Sequence, residues 1–145
     1  MLFINIRKSI ILALLTLSFS TLHATPTNSL LDIDKDGKIH QKTDATLIMR
    51  YLMGFRGQKL IDKAIGSNST VNASEIEKRL SILIESKVLD IDGDGKIEPM
   101  KDALLLSRWM IGMRGKDLIR GVIKEKASRK SSKEISNYIK ITLLK

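Results

Sequence analysis

Apolar residues fall along this chain in three rhythms. The first is nearly unbroken, from Ile10 to Phe19 with only Thr16 and Ser18 interrupting it. The second alternates with aspartate, in Leu31-Asp32-Ile33-Asp34 and again in Leu89-Asp90-Ile91-Asp92. The third is helical. Ala45, Ile48, Met49 and Leu52 are spaced i, i+3, i+4, i+7, and Ala103, Leu106 and Met110 repeat that stripe further on. Gly54 and Gly112 follow, where a left-handed residue ends a helix. A short second helix is predicted in each half, with Leu60, Ile61, Ala64 and Ile65 on one side in the first, and Leu118, Ile119, Val122 and Ile123 in the second. A third helix is predicted to open on a capping box, Ser74 to Glu77 and Ser131 to Glu134. Its apolar stripe is Ile76, Leu80, Leu83 and Ile84 in one half and Ile135, Tyr138, Ile139, Thr142 and Leu143 in the other. Strand patterns are lacking, so the expected fold is all-α.

The halves are copies of one unit. Sliding the chain by 58 places aligns Leu31–Ile65 with Leu89–Ile123, and 18 of the 35 pairs are identical. Each copy by itself has one narrow apolar stripe per helix and little area to bury. The two are therefore expected to pack on each other about a pseudo-twofold axis. Met49, Met53, Met110 and Met113 are read as core filling, and Trp109, aligned with Tyr51, as core or rim. Arg50, Arg56, Arg108 and Arg114 recur in register and are read first as partners of helix-end carbonyls and neighbouring acids, with an anionic partner as the other reading.

The acidic loops demand a chemical reason. Aspartates ~4 Å apart repel by ~1 kcal/mol in water and by several times that in a partly buried loop. A hard divalent cation would supply the missing counter-charge. The spacing agrees in detail with an EF-hand loop, in which oxygens come from places 1, 3 and 5, glycine turns the chain at 6, a backbone carbonyl ligates at 7 and a carboxylate closes the shell late. Counted from Asp32, those roles fall to Asp32, Asp34, Asp36, Gly37 and the carbonyl of Lys38. Counted from Asp90, they fall to Asp90, Asp92, Asp94, Gly95 and the carbonyl of Lys96. Ile39 and Ile97 are the apolar residues that pin such loops to a core. Place 12 holds Thr43 and Lys101, and the closing acids Asp44 and Asp102 arrive one place later in both copies. That common shift indicates a loop longer by one residue. Asp44 and Asp102 also begin a helix, where a carboxylate is favoured without any ion. Place 9 is His40 in one copy and Glu98 in the other, either able to reach an ion through water. Two calcium ions are the expected cofactors, because five or more protein oxygens suit calcium better than magnesium.

Composition adds the setting. Arg7 and Lys8 precede the Ile10–Phe19 run, and a polar segment ends in Leu22-His23-Ala24, which is the layout of a secretory signal peptide cleaved after Ala24. An uncleaved membrane anchor is the alternative, although the run is shorter than the ~20 residues a spanning helix needs. The expected division is a signal peptide at 1–24, a first repeat at 25–87 and a second at 88–145. The product is expected to be secreted, periplasmic or held in the cell envelope, with no membrane span after cleavage. Cysteine is absent, which removes disulfides, thiol nucleophiles and Cys-ligated zinc.

The arrangement resembles dockerin domains, whose tandem repeats pair a D-x-D-x-D-G loop with a following helix. LDIDKDGK…DATLIMRYLMGFRGQKLI and LDIDGDGK…DALLLSRWMIGMRGKDLI look like the dockerin-like repeats of exported bacterial proteins, from residue 30 to the end. The resemblance implies calcium-dependent folding with Asp32, Asp34, Asp36 and Asp44 as one ligand set and Asp90, Asp92, Asp94 and Asp102 as the other. It also implies a protein partner, a cohesin-like one in dockerins. The dockerin recognition positions, just after place 9, are Gln41-Lys42 in one copy and Pro99-Met100 in the other.

Net charge opens a second class of function. The chain carries 25 basic and 16 acidic residues, and nine of the acids sit in the loops. The basic remainder would attract anionic envelope polymers electrostatically. With 4% aromatic residues there is little for stacked bases to use, and no nucleic-acid partner is expected. Lys124 to Lys133 is the densest basic patch and reads as a flexible connector. An enzyme is not expected, since no Ser-His-Asp or Cys-His set exists and the clustered carboxylates suit cation binding better than acid/base work.

Overall fold

Two overlapping capping signals compete at the start of the longest helix, and the structure shows which prevails. The structure is a computed structural model that describes residues 29–145, so the signal-peptide segment expected at 1–24 lies outside the described residues. In it the helix Ala73–Glu85 is capped by Asn72, whose side chain accepts from the Glu75 amide at 3.0 Å while Glu75 Oε2 accepts from the Asn72 amide at 2.8 Å. The expected Ser74–Glu77 box is therefore corrected. Glu77 is needed elsewhere, because its Oε1 accepts from the Gly57 amide at 2.6 Å and ties the preceding short helix to this one. The Ser131–Glu134 box is as expected.

Among the described residues every regular element is helical and no strand occurs. The first half runs through a π-helical turn π1 (Gln41–Ala45), α1 (Thr46–Leu52), α2 (Gln58–Ile61) and α3 (Ala73–Glu85). The second runs through π2 (Pro99–Ala103), α4 (Leu104–Met110), α5 (Gly115–Ile119), α6 (Ser132–Tyr138) and π3 (Ile139–Leu143). The π turns account for the late closing acids. A π turn holds one residue more than an α turn, and Thr46 Oγ1 accordingly reaches the carbonyl of Gln41, five residues back, at 3.2 Å. The additional loop residue is thus wound into the start of each first helix.

Both first helices stop in the same way. Gly54 (φ +90°) donates to the Tyr51 carbonyl at 3.0 Å and Phe55 to the Arg50 carbonyl at 2.9 Å. Gly112 (φ +89°) and Met113 make the same two bonds, at 3.0 and 2.9 Å, to Trp109 and Arg108. This crossed pair is a Schellman cap, which requires a left-handed residue that only glycine adopts without strain. The arginines then satisfy leftover carbonyls. Arg50 Nη1 donates to Leu60 and Asp62 carbonyls, and Arg108 Nη1 to those of Leu118 and Arg120. Arg56 and Arg114 donate to helix-end carbonyls of Tyr51 and Trp109 and lie over those rings, at 3.6 and 4.8 Å from the centroids.

One apolar core gathers residues from both halves, among them Leu31, Leu47, Ile48, Leu60, Ile76 and Leu80 from the first and Leu89, Leu105, Leu106, Leu118, Ile135 and Ile139 from the second. α1 packs against π2 and α4 against π1. Gln41 Nε2 reaches Ser107 Oγ at 3.2 Å, Tyr138 Oη donates to the Val88 carbonyl at 3.0 Å, and the Leu143 carbonyl accepts from the Leu30 amide at 2.9 Å and from Ser29 Oγ at 2.8 Å. Two expectations about packing are corrected. Met49 and Met110 pack on the core, but Met53 and Met113 are 52% and 38% exposed because the Schellman cap turns the chain outward there. The 124–133 segment is not a loose connector, since Ala127 is buried and Arg129 is pinned from several sides. No helix among the described residues is long and apolar enough to cross a membrane.

Candidate metal centres

Each aspartate loop is held in shape by its own carboxylates. In the first, the Gly37 amide donates to Asp32 Oδ2 at 3.2 Å, the Asp36 amide to Asp34 Oδ1 at 3.2 Å and the Lys38 amide to Asp36 Oδ1 at 2.9 Å. In the second, the amides of Asp94 and Gly95 donate to Asp90 at 3.1 and 3.0 Å, Asp94 also donates to Asp92 Oδ1 at 3.1 Å, and Lys96 to Asp94 Oδ1 at 2.9 Å. Alternation along an extended segment is what turns every second side chain to one side. Asp32, Asp34, Asp90 and Asp92 are buried, Asp36 and Asp94 partly so, and Lys38 and Lys96 are exposed.

The closing acids clasp the loops. Asp44 is fully buried, and its two oxygens accept from the Ile33 amide at 2.7 Å and the His40 amide at 2.6 Å. Asp102 does the same for Ile91 at 2.6 Å and Glu98 at 2.8 Å. Each therefore ties place 2 to place 9 of its own loop. Burial pushes both carboxyls up, to about 6, against the downward pull of those amide bonds. Burial also raises Asp34 and Asp92 above the usual carboxylate range.

Carboxylate oxygens of Asp32, Asp34 and Asp36 lie within 4.8 Å of one another, and so do those of Asp90, Asp92 and Asp102. The two groups differ in membership. Asp36 belongs to the first, whereas its counterpart Asp94 is drawn to Lys101, whose Nζ lies 2.7 Å from Asp94 Oδ2 and also contacts Glu98. Asp102 belongs to the second, whereas its counterpart Asp44 does not join the first. Hydrogen bonds to Asp94 and Glu98 raise the pKa of the Lys101 ammonium, and that ammonium in turn holds Asp94 below its ordinary range. In the first loop the same place is taken by Thr43, whose hydroxyl bonds Asp44 Oδ2 at 3.2 Å. His40 is exposed.

A cation suits these groups on one further count. Asp92 is fully buried, and its Oδ2 is sealed from solvent and receives no hydrogen bond. A buried anionic oxygen without a donor is costly. A hard cation coordinated by carboxylate oxygens would remove that cost.

Segments outside the loops complete them, through contacts that no motif in the chain marks. Gly66, after α2, donates to Asp34 Oδ2 at 2.6 Å, and Ser69 Oγ to the Asp34 carbonyl at 2.6 Å. A Cβ on Gly66 would fall 1.9 Å from Asp36 Oδ2, so a larger residue there would have to push the Asp36 carboxylate aside. Over the second loop lies Arg129, which donates through Nε to the Ile91 carbonyl at 2.7 Å and through Nη2 to the Asp90 carbonyl, stacks 3.9 Å from the Tyr138 ring centroid, and donates its amide to the Asp92 carbonyl at 2.9 Å. A strap and a stacked arginine thus do one job in two ways. No family model, no curated protein and no solved structure matches the chain, and its two aspartate loops stand on their own geometry.

Proposed function

We propose that the chain is an exported calcium-binding module of two dockerin-like, EF-hand-type repeats arranged about a pseudo-twofold axis, whose two ions stabilise the fold and a surface for a protein partner. The observation that carries this is the pair of aspartate groups, buried in the loops and including a carboxylate oxygen with no donor. Matching hydrogen bonds in the two halves, from Ile33 to Asp44 and from Ile91 to Asp102, support the repeat. Asp32, Asp34 and Asp36 would hold the first ion and Asp90, Asp92 and Asp102 the second, with Asp44, Asp94 and the carbonyls of Lys38 and Lys96 completing the shells. Met53, Phe55, Ile111 and Met113 are exposed beside the arginines that follow the glycine stops, which gives a partner apolar area to cover.

Calcium at 100 times its Kd should stabilise the purified chain by about 2.7 kcal/mol per site, raising Tm by roughly 10 °C for each. Calorimetry that detects no uptake, with a melt that chelator does not move, would end this reading. The excess of 25 basic over 16 acidic residues favours a second one, a binder of anionic envelope polymers with calcium in a structural role. Polymer binding should collapse as salt rises, whereas a packed protein contact should persist.

A further inference from the structure

Place 12 is where the two loops differ most in chemistry. Thr43 in the first is neutral and bonds the closing Asp44 and the His40 carbonyl. Lys101 in the second puts an ammonium on Asp94 and Glu98, the residues at places 5 and 9. We propose that Lys101 is a tethered counter-cation that competes with calcium for the second loop, so that the first loop fills at lower calcium and the second only as Lys101 is displaced. This rests on the calcium reading above and goes beyond it by ordering the two sites.

The geometry supplies the competition. For Asp94 to ligate through Oδ2, the ion must come onto an oxygen that already holds the Lys101 ammonium, and two cations on one carboxylate repel until the ammonium swings away, while the matching Asp36 already stands with Asp32 and Asp34. Even after displacement, a positive charge on so short a tether stays within a Debye length of the cation and repels it. The Gly66 amide on Asp34 Oδ2 does not handicap the first loop comparably, because a carboxylate oxygen has two lone pairs and can accept an N–H while ligating. The second loop is not thereby disabled. Its Asp92 keeps a buried oxygen without a donor, which Lys101 does not reach, so an ion still gains there what the ammonium cannot supply.

Calcium titration of the purified chain by calorimetry at low salt tests the order. Two steps are expected, with dissociation constants about tenfold apart. Lys101→Thr should tighten the weaker step by about three- to tenfold and leave the stronger within about twofold. Lys101→Met should do the same, which guards against a fold defect peculiar to one variant, and Lys101→Arg should keep the weak step weak. Asp34→Asn should remove the stronger step. Two steps of equal affinity, or two steps that Lys101→Thr leaves unmoved, overturn the inference while sparing the calcium reading. No calcium uptake by the unsubstituted chain overturns both.

Discussion

Asp44 and Asp102 show how a single carboxylate can be both latch and liability. Each holds two loop amides, yet burial raises its carboxyl to about 6. A folded-state value above the unfolded 3.8 means the folded chain binds the proton more tightly. Without metal, the stability these groups contribute is therefore fully present below about 4 and is lost as pH rises toward about 6. Melts in chelator should show this fall between pH 4 and 6, and the double variant Asp44→Asn, Asp102→Asn should flatten that part of the profile. Saturating calcium should reverse the slope in the unsubstituted chain, because the ion needs carboxylates. A profile identical in chain and double variant would show that these two groups are not responsible. The sequence disclosed these acids but not their clasp, since their partners are backbone amides fixed only once the loop closes.

The elements were legible where a signal is local and unrivalled. Gly54 and Gly112 marked real helix ends, and the shift of Asp44 and Asp102 by one place was the trace of π1 and π2. The Asn72 cap was not legible, because Asn72–Glu75 and Ser74–Glu77 are equally good boxes and the choice is made by Gly57, twenty residues from Glu77. Arg129 was hidden for the same reason, its bonds spanning 38 and 39 residues to Ile91 and Asp90. The glycine stops themselves are testable. Gly54→Ala and Gly112→Ala each force a Cβ into φ near +90° and should cost about 1 kcal/mol. That is a fall of roughly 4 °C in Tm for a domain of this size. A change in Tm of under 1 °C would show that the Schellman cap contributes little.

For the whole molecule, the core belongs to neither half. Leu47 and Ile48 share it with Leu105 and Leu106, and the π turn of each half packs on the first helix of the other. A unit of some 58 residues buries only about 60% of its surface, and here part of that burial comes from the other copy. Residues 29–87 and 88–145 prepared separately should each show little helical circular dichroism, with or without calcium, and mixing them should restore it. Native-like helicity in either half by itself would refute the shared core as the source of stability. The sequence pointed to this pooling through its narrow stripes, whereas the reciprocal contacts came only from the structure.

The hydrogen bonds from Ser29 and Leu30 to Leu143 bring the first and last described turns side by side. A pull exerted through both ends meets that junction first and must open it before strain reaches either aspartate loop. Tension along the chain is in this way kept off both clusters of carboxylates until the junction gives.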